Sequence, residues 1–240
     1  MSTNPPELQW LDGDVPKALG FEDTYFSKAG GLAETRHVFL AGNRLPDRFE
    51  TTTAFTIAEF GFGTGLNFLT AIAAWRALEN PPELTFVSFE LFPMTPDQLA
   101  KALSAFPELG DLANELIDYW QPCAGWSQFR VAGANLVLGV GDARELIKDL
   151  KPETQAADTS SIVIPLVDAW FLDGFSPARN PELWDADLLR SAADLTAPEG
   201  TLATYTAAGW VRRNLQTAGF LIEKTSGFAG KREMVIGRKA

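Results

Sequence analysis

Three glycines at alternate positions, Gly61, Gly63 and Gly65, sit between an apolar run and a stretch of helical periodicity. Glu59 stands just before them, and Thr64 and Asn67 lie within and after the turn. A glycine turn from strand to helix lets a ligand approach the backbone, and the helix start offers free N–H groups and positive potential. Dinucleotide enzymes write this turn as G-x-G-x-x-G, the third glycine packing helix on strand. Here the third glycine comes one residue early, and Leu66 stands where that motif needs glycine. G-x-G-x-G behind an acid instead suits S-adenosylmethionine, which has no pyrophosphate. Its carboxylate would take the helix N–H groups, and Glu59 would hold its ammonium directly or through water.

Further acids follow at later turns. Glu90 ends the next apolar run, where a carboxylate can accept both ribose hydroxyls of a nucleoside. That position does not separate a nicotinamide cofactor from S-adenosylmethionine. Asp142, in Gly141-Asp142-Ala143, can accept the exocyclic amine of adenine or simply cap a helix. The segment from Asp168 to Trp184 then leaves a buried strand for a loop rich in aromatics and prolines. Its Asp173-Gly174-Phe175-Ser176-Pro177 resembles the acid–aromatic–proline loop of amine methyltransferases. An electrophilic sulfonium needs an uncharged amine lone pair in line with its methyl. Asp173 would hold the amine's proton and orient it. Phe175 and Trp184 would supply apolar and cation–π walls. A nearby carboxylate also favours the protonated amine, so the site must offset this by desolvation or pass the proton onward. Tyr25, Phe26, Tyr205 and Pro177 are expected at the same site. His37 reads as a packing or helix-surface residue and Cys123 as a small thiol.

These residues need a sheet whose strand ends meet. The rhythm predicts an α/β fold with a mostly parallel sheet. Strands are expected at Leu8 to Trp10, Phe55 to Phe60, Leu84 to Phe89, Asn135 to Val140, within Ile162 to Leu172, and at Gly200 to Thr206. Helices are expected over Gly31 to Ala41, Leu66 to Leu78, Pro96 to Phe106, Asp111 to Trp120, Asp142 to Leu150, up to Leu195 from a cap at Asn180 or Asp185, and Gly209 to Ala218. Phe129 to Val131 would make a hairpin with the Asn135 strand. Phe220 to Lys224 and Glu233 to Gly237 read as a closing antiparallel hairpin. Residues 1–50 form an extension packed on a core of residues 51–240, one domain overall.

The 240 residues are 46% hydrophobic and 21% charged, which excludes disorder, collagen and coiled coil. No apolar run approaches the ~20 residues that cross a bilayer. The first residues carry no basic and apolar signal segment, so a cytoplasmic location is expected. One cysteine and one histidine exclude a Cys/His zinc cluster, and no metal is expected. The net charge of −11 argues against sequence-blind binding to a polyanion. Residues 201–240 nevertheless carry a net +5, which fits a local phosphate contact. Arg212, Arg213, Lys231 and Arg232 are the candidates. On these residues alone several readings stay open: an amine methyltransferase acting on RNA, on a small amine or on a protein; a nicotinamide-dependent oxidoreductase; and a cofactor- or RNA-binding module without turnover.

The whole pattern closely resembles the methyltransferase domain of the bifunctional MnmC family of tRNA-modification proteins. The resemblance runs from Tyr25 to Gly237. It is carried by Tyr25-Phe26-Ser27, Glu34 to Asn43, Phe60 to Leu69, Ser88-Phe89-Glu90, Asp173 to Trp184, Gly200 to Tyr205 and Lys231 to Met234. It implies a class I, Rossmann-like fold and methyl transfer from S-adenosyl-L-methionine. The acceptor it implies is the amine of 5-aminomethyl(-2-thio)uridine at the wobble position, in the anticodon region of tRNA. It assigns Glu59, Gly61, Gly63, Gly65, Asn67, Glu90, Asp142 and Ala143 to the cofactor, with Asp173 and Phe175 facing methyl and amine. Two-domain members continue into an FAD-dependent oxidoreductase domain that makes the amine. This sequence has no second glycine fingerprint. The expectation is therefore a stand-alone methyltransferase part that binds no FAD, its oxidoreductase partner being separate or fused.

Overall fold

The computed structural model describes residues 4–155 and 161–240; Met1 to Thr3, part of the segment read for a signal, lie outside them. A small antiparallel sheet opens the chain: β1 (Leu8–Leu11), β2 (Val15–Ala18) and β3 (Asp23–Thr24). Helix α1 (Gly31–Thr35) follows. The expected single helix to Ala41 instead loosens into a π-turn over Arg36–Leu40 and a 3-10 turn over Ala41–Asn43.

The main sheet then begins with β4 (Ala54–Phe60), α2 (Leu66–Arg76) and β5 (Glu83–Glu90). Helices α3 (Pro96–Leu103) and α4 (Gly110–Tyr119) lead to the hairpin β6 (Gly125–Val131) and β7 (Ala134–Val140). Thr95 and Gln98 close a reciprocal capping box in front of α3, with Pro96 in its first turn. The helix expected to reach Leu150 is only α5 (Ala143–Leu146); a 3-10 turn follows, and Leu150 enters β8 (Leu150–Pro152). The apolar run from Ile162 is likewise two strands, β9 (Ile162–Ile164) against β8, and β10 (Val167–Phe171) in the main sheet. Pro165 lies between them, and proline cannot donate to a ladder.

Asp185, not Asn180, caps α6 (Ala186–Leu195), accepting from the N–H groups of Asp187 and Leu188 at 2.9 and 3.3 Å. The next strand, β11 (Thr196–Thr204), starts earlier than expected. Then come α7 (Gly209–Thr217), β12 (Phe220–Ser226) and β13 (Glu233–Lys239).

The eight-stranded sheet has the order β12-β13-β11-β10-β4-β5-β7-β6. Strands β7, β5, β4, β10 and β11 run parallel; β13 is antiparallel to β11 and β12, and β6 to β7. Side-chain alternation splits the core between the two faces. Ile57, Phe86 and Phe171 pack with α2, α3 and α4, whereas Ala58, Val87 and Trp170 pack with α6 and α7. Residues from the N-terminal segment, including Val15, Phe26, Phe39 and Phe49, belong to the first of these clusters. The chain builds outward from β4 to β5 and β7, then returns to β10 on the other side of β4. Open α/β sheets bind ligands at the carboxyl edge beside such a reversal. Among the described residues no helix is long and apolar enough to cross a membrane.

Candidate active site

At that edge lies a cavity of about 800 Å³. It is bordered by the turn after β4, the end of β5, the start of α5, the loop after β10, Tyr205 after β11, and the segment from Gly20 to Thr35. Gly61, Gly63 and Gly65 take φ of 83, 57 and 70°. A Cβ on Gly65 would meet Leu116 Cδ2 at 2.9 Å and the Phe62 ring at 3.0 Å, so the turn needs glycine for conformation and for space. Gly65 precedes α2 and gives no side-chain cap, which leaves the first N–H groups of this helix open to a ligand. Thr64, Leu66 and Asn67 border the cavity there.

Glu90 is 8% exposed and ties this turn to β5. Its Oε2 accepts from the Gly63 N–H at 2.7 Å and its Oε1 from the Phe92 N–H at 2.8 Å. Burial raises its carboxyl above the ordinary range, and these backbone donors oppose that rise. Asp142 caps α5, its Oδ1 accepting from the Arg144 N–H at 2.9 Å, and pairs with the Arg144 guanidinium at 2.6 Å. Those bonds to Arg144 lower its carboxyl. Asp142 and Ala143 both border the cavity.

Asn67 connects the buried Glu59 carboxyl with the half-buried Asp173 carboxyl. Its Nδ2 donates to Glu59 Oε2 at 3.2 Å and to Asp173 Oδ2 at 2.8 Å, while its Oδ1 accepts from the Thr35 hydroxyl at 2.9 Å. Ser88 completes the chain, donating to Glu59 Oε1 at 2.8 Å. Glu59 has no exposed surface and does not border the cavity, so it is not placed to grip an ammonium directly. Burial holds its carboxyl well above the ordinary range, and the Asp173 charge adds to this. Asp173 does border the cavity, and burial pushes it up to about 6. Glu59 thus touches the cavity only through Asn67.

Phe175 stacks on Phe21, with ring centres 4.6 Å apart, and takes the edge of Tyr25 at 5.1 Å. All three rings line the cavity, as does Phe26. Trp184 does not. It is 1% exposed in the core beneath the loop, its indole N–H donating to the Phe175 carbonyl at 3.2 Å. Burying a ring of ~200 Å² is worth about 5 kcal/mol, well above the ~1 kcal/mol of an open cation–π contact. Trp184 therefore supports the loop and is no wall of the cavity. Pro177 is also buried and away from the cavity.

The basic residues separate. Lys231 borders the cavity, paired with Glu34 at 2.7 Å. Arg213 and Arg232 are exposed, and Arg212 is half-buried, its Nε enclosed without a hydrogen-bond partner among the described residues. His37 Nε2 meets the Ser226 carbonyl at 2.9 Å, and exposed Cys123 contacts Ser127 Oγ at 3.2 Å, both away from the cavity. Sequence reasoning missed Phe21 and gave no role to Glu34, Thr35 and Ser88, although these three fall in segments that carry the resemblance. Ser88 also left a local signal, a polar side chain inside the apolar run of β5, in register with Glu59 on β4.

A parallel sheet with a reversed terminal strand, a glycine turn and acids at successive strand ends defines a class I, Rossmann-like methyltransferase fold. Residues 107–240 match the family model described as S-adenosyl-L-methionine-dependent methyltransferase, over more than half of the chain. The chain belongs to that family, and its cofactor is S-adenosyl-L-methionine. It is 43% identical, over its full length, to the tRNA 5-methylaminomethyl-2-thiouridine biosynthesis bifunctional protein MnmC of Aeromonas hydrophila, covering 36% of that protein. To the protein of the same name from Chromohalobacter salexigens it is 44% identical, over 98% of this chain and 33% of the relative. The chain thus spans about a third of the length of these relatives. The crystal structure of MnmC2 from Aquifex aeolicus shares the fold, with a TM-score of 0.72 and 23% identity, over 98% of this chain and 70% of that one.

Proposed function

We propose that this chain transfers a methyl group from S-adenosyl-L-methionine to the primary amine of 5-aminomethyl(-2-thio)uridine at the wobble position of tRNA. The observation that carries the reading is Asp173, ionisable near neutrality and held by Asn67, in one aromatic-walled cavity with the glycine turn and Glu90. Identity to the MnmC relatives across the chain supports the choice of acceptor.

The cavity fits the cofactor. The uncapped start of α2 suits its carboxylate, Glu90 its ribose, and Asp142 and Ala143 its adenine. Bound there, the cofactor supplies an electrophilic methyl on sulfur. Phe21, Tyr25 and Phe175 exclude water from the acceptor and hold its ring. Asp173 accepts the proton that the amine sheds to free its lone pair; the nitrogen then takes the methyl as the carbon–sulfur bond breaks, leaving a secondary ammonium and the cofactor's thioether. Glu59, raised well above the ordinary carboxylate range by burial, lies behind Asn67 and does not face the amine. Positioning supplies most of the acceleration.

The test is methyl transfer from labelled cofactor to tRNA carrying 5-aminomethyluridine, compared with tRNA that lacks it. Label in the first only is expected; equal label in both, or none, overturns the proposal. We propose exposed Arg213 and Arg232 as the phosphate contacts, with Arg212 behind them. Reversing the charges of Arg213 and Arg232 should lower the salt slope of tRNA binding by about two, and an unchanged slope removes them from the interface. An FAD-dependent partner, separate or fused, would supply the amine.

A further inference from the structure

Lys231 brings a primary alkylammonium, the same group as the proposed acceptor, into the cavity. Its Nζ lies 2.7 Å from Glu34 Oε1 and 4.7 Å from the centre of the Tyr205 ring. A carboxylate and an aromatic face are what a bound alkylammonium requires. The two receiving groups belong to the wall. The Glu34 side chain on α1 is 15% exposed. Tyr205 is anchored beside Asp173, its hydroxyl donating to the Gly174 carbonyl at 2.9 Å. The ammonium is instead the tip of a side chain 48% exposed, reaching in from the loop between β12 and β13. Glu34, Tyr205 and Lys231 border the same cavity as Asp173.

Resting on the reading that the acceptor is a primary amine, we propose that Glu34 and Tyr205 form the amine-receiving subsite. Lys231 fills it until the substrate displaces it. An alkylammonium held on Glu34 and the Tyr205 ring stands next to Asp173, which takes one proton from it and so frees the lone pair that attacks the methyl. The occupied subsite also makes the site selective, since an incoming ligand must outcompete a tethered ammonium. Neutral or acidic side chains on the uridine gain nothing from that exchange.

The experiment is calorimetric titration of 5-aminomethyluridine into the full chain saturated with S-adenosylhomocysteine. Lys231→Met is expected to tighten the nucleoside about tenfold, and Glu34→Gln to weaken it about tenfold. Lys231→Arg should stay near the parent. Both neutral variants break the same ion pair, so a merely structural role would move the two affinities in one direction. Opposite directions with an unchanged S-adenosylhomocysteine affinity support the subsite. Equal or same-sign shifts, or no nucleoside binding by any of the proteins, overturn it. Turnover plays no part in this readout. Labelled transfer to tRNA with unmoved amine affinities would discard the subsite and keep the function. Opposite shifts without transfer would do the reverse.

Discussion

Asp173→Asn is expected to lower methyl transfer by about 10²–10⁴-fold, the range for losing a positioned base, with cofactor affinity changed less than about threefold. Asn67 Nδ2 now donates to Asp173 Oδ2 at 2.8 Å and can donate equally well to an asparagine carbonyl, so the loop keeps its anchor. The variant lacks only the capacity to take a proton. Burial raises Asp173 to about 6, so the parent should show an acid limb in kcat/KM near that pH, which the variant loses. The stability consequence has a definite sign. The folded carboxyl titrates at about 6 and the unfolded one at about 4, so its favourable contribution is complete below about pH 4 and is lost as pH rises through 6. Relative to the parent, Asp173→Asn should therefore melt higher at pH 8, and the gap should close toward pH 4. Full activity in the variant, or a gap that widens toward acid, would refute the assignment.

The sheet was legible because each strand is a short apolar run cut by Gly, Pro or Asn. The glycine turn was legible because its residue types follow from backbone conformation. Glu90 and Asp173 could be found because both follow apolar strands at the carboxyl edge. Trp184 could not. Its residue type suits both a cavity wall and a core, and only the packing of α6 and α7 decides between them. The internal boundaries of the segments from Asp142 to Leu150 and from Ile162 to Leu172 were hidden for a related reason. Their apolar residues satisfy the core equally well as one long element or as two short ones. Thr35 and Glu34 lie far along the chain from the residues they meet, and the segment they open, Glu34 to Asn43, carries the resemblance without assigning either a role. Lys231 was read as a phosphate contact from charge alone, yet its nearest partner is a carboxylate that the sequence places 197 residues away.

Glu90→Ala should raise the dissociation constant for S-adenosyl-L-methionine by about 10²–10³-fold. The size follows from what the side chain holds. Its two oxygens accept from the Gly63 and Phe92 N–H groups at 2.7 and 2.8 Å, and both donors lose their acceptor in the variant. Those orphaned donors cost fold stability, whereas the cofactor loses the charge-assisted bonds from its two ribose hydroxyls, about 1.5–3 kcal/mol each, and meets a glycine turn no longer tied to β5. Glu90→Gln keeps one accepting oxygen and turns an NH₂ toward the other donor, so about a tenfold loss is expected. At saturating cofactor both variants should recover most of their turnover, because Asp173, Asn67 and the aromatic walls are untouched. This is the opposite split from Asp173→Asn, which leaves binding intact and removes the chemistry. Equilibrium dialysis with labelled cofactor measures it directly. An unchanged dissociation constant for Glu90→Ala would show that the glycine turn holds its shape without the β5 carboxylate, and would remove Glu90 from the cofactor site.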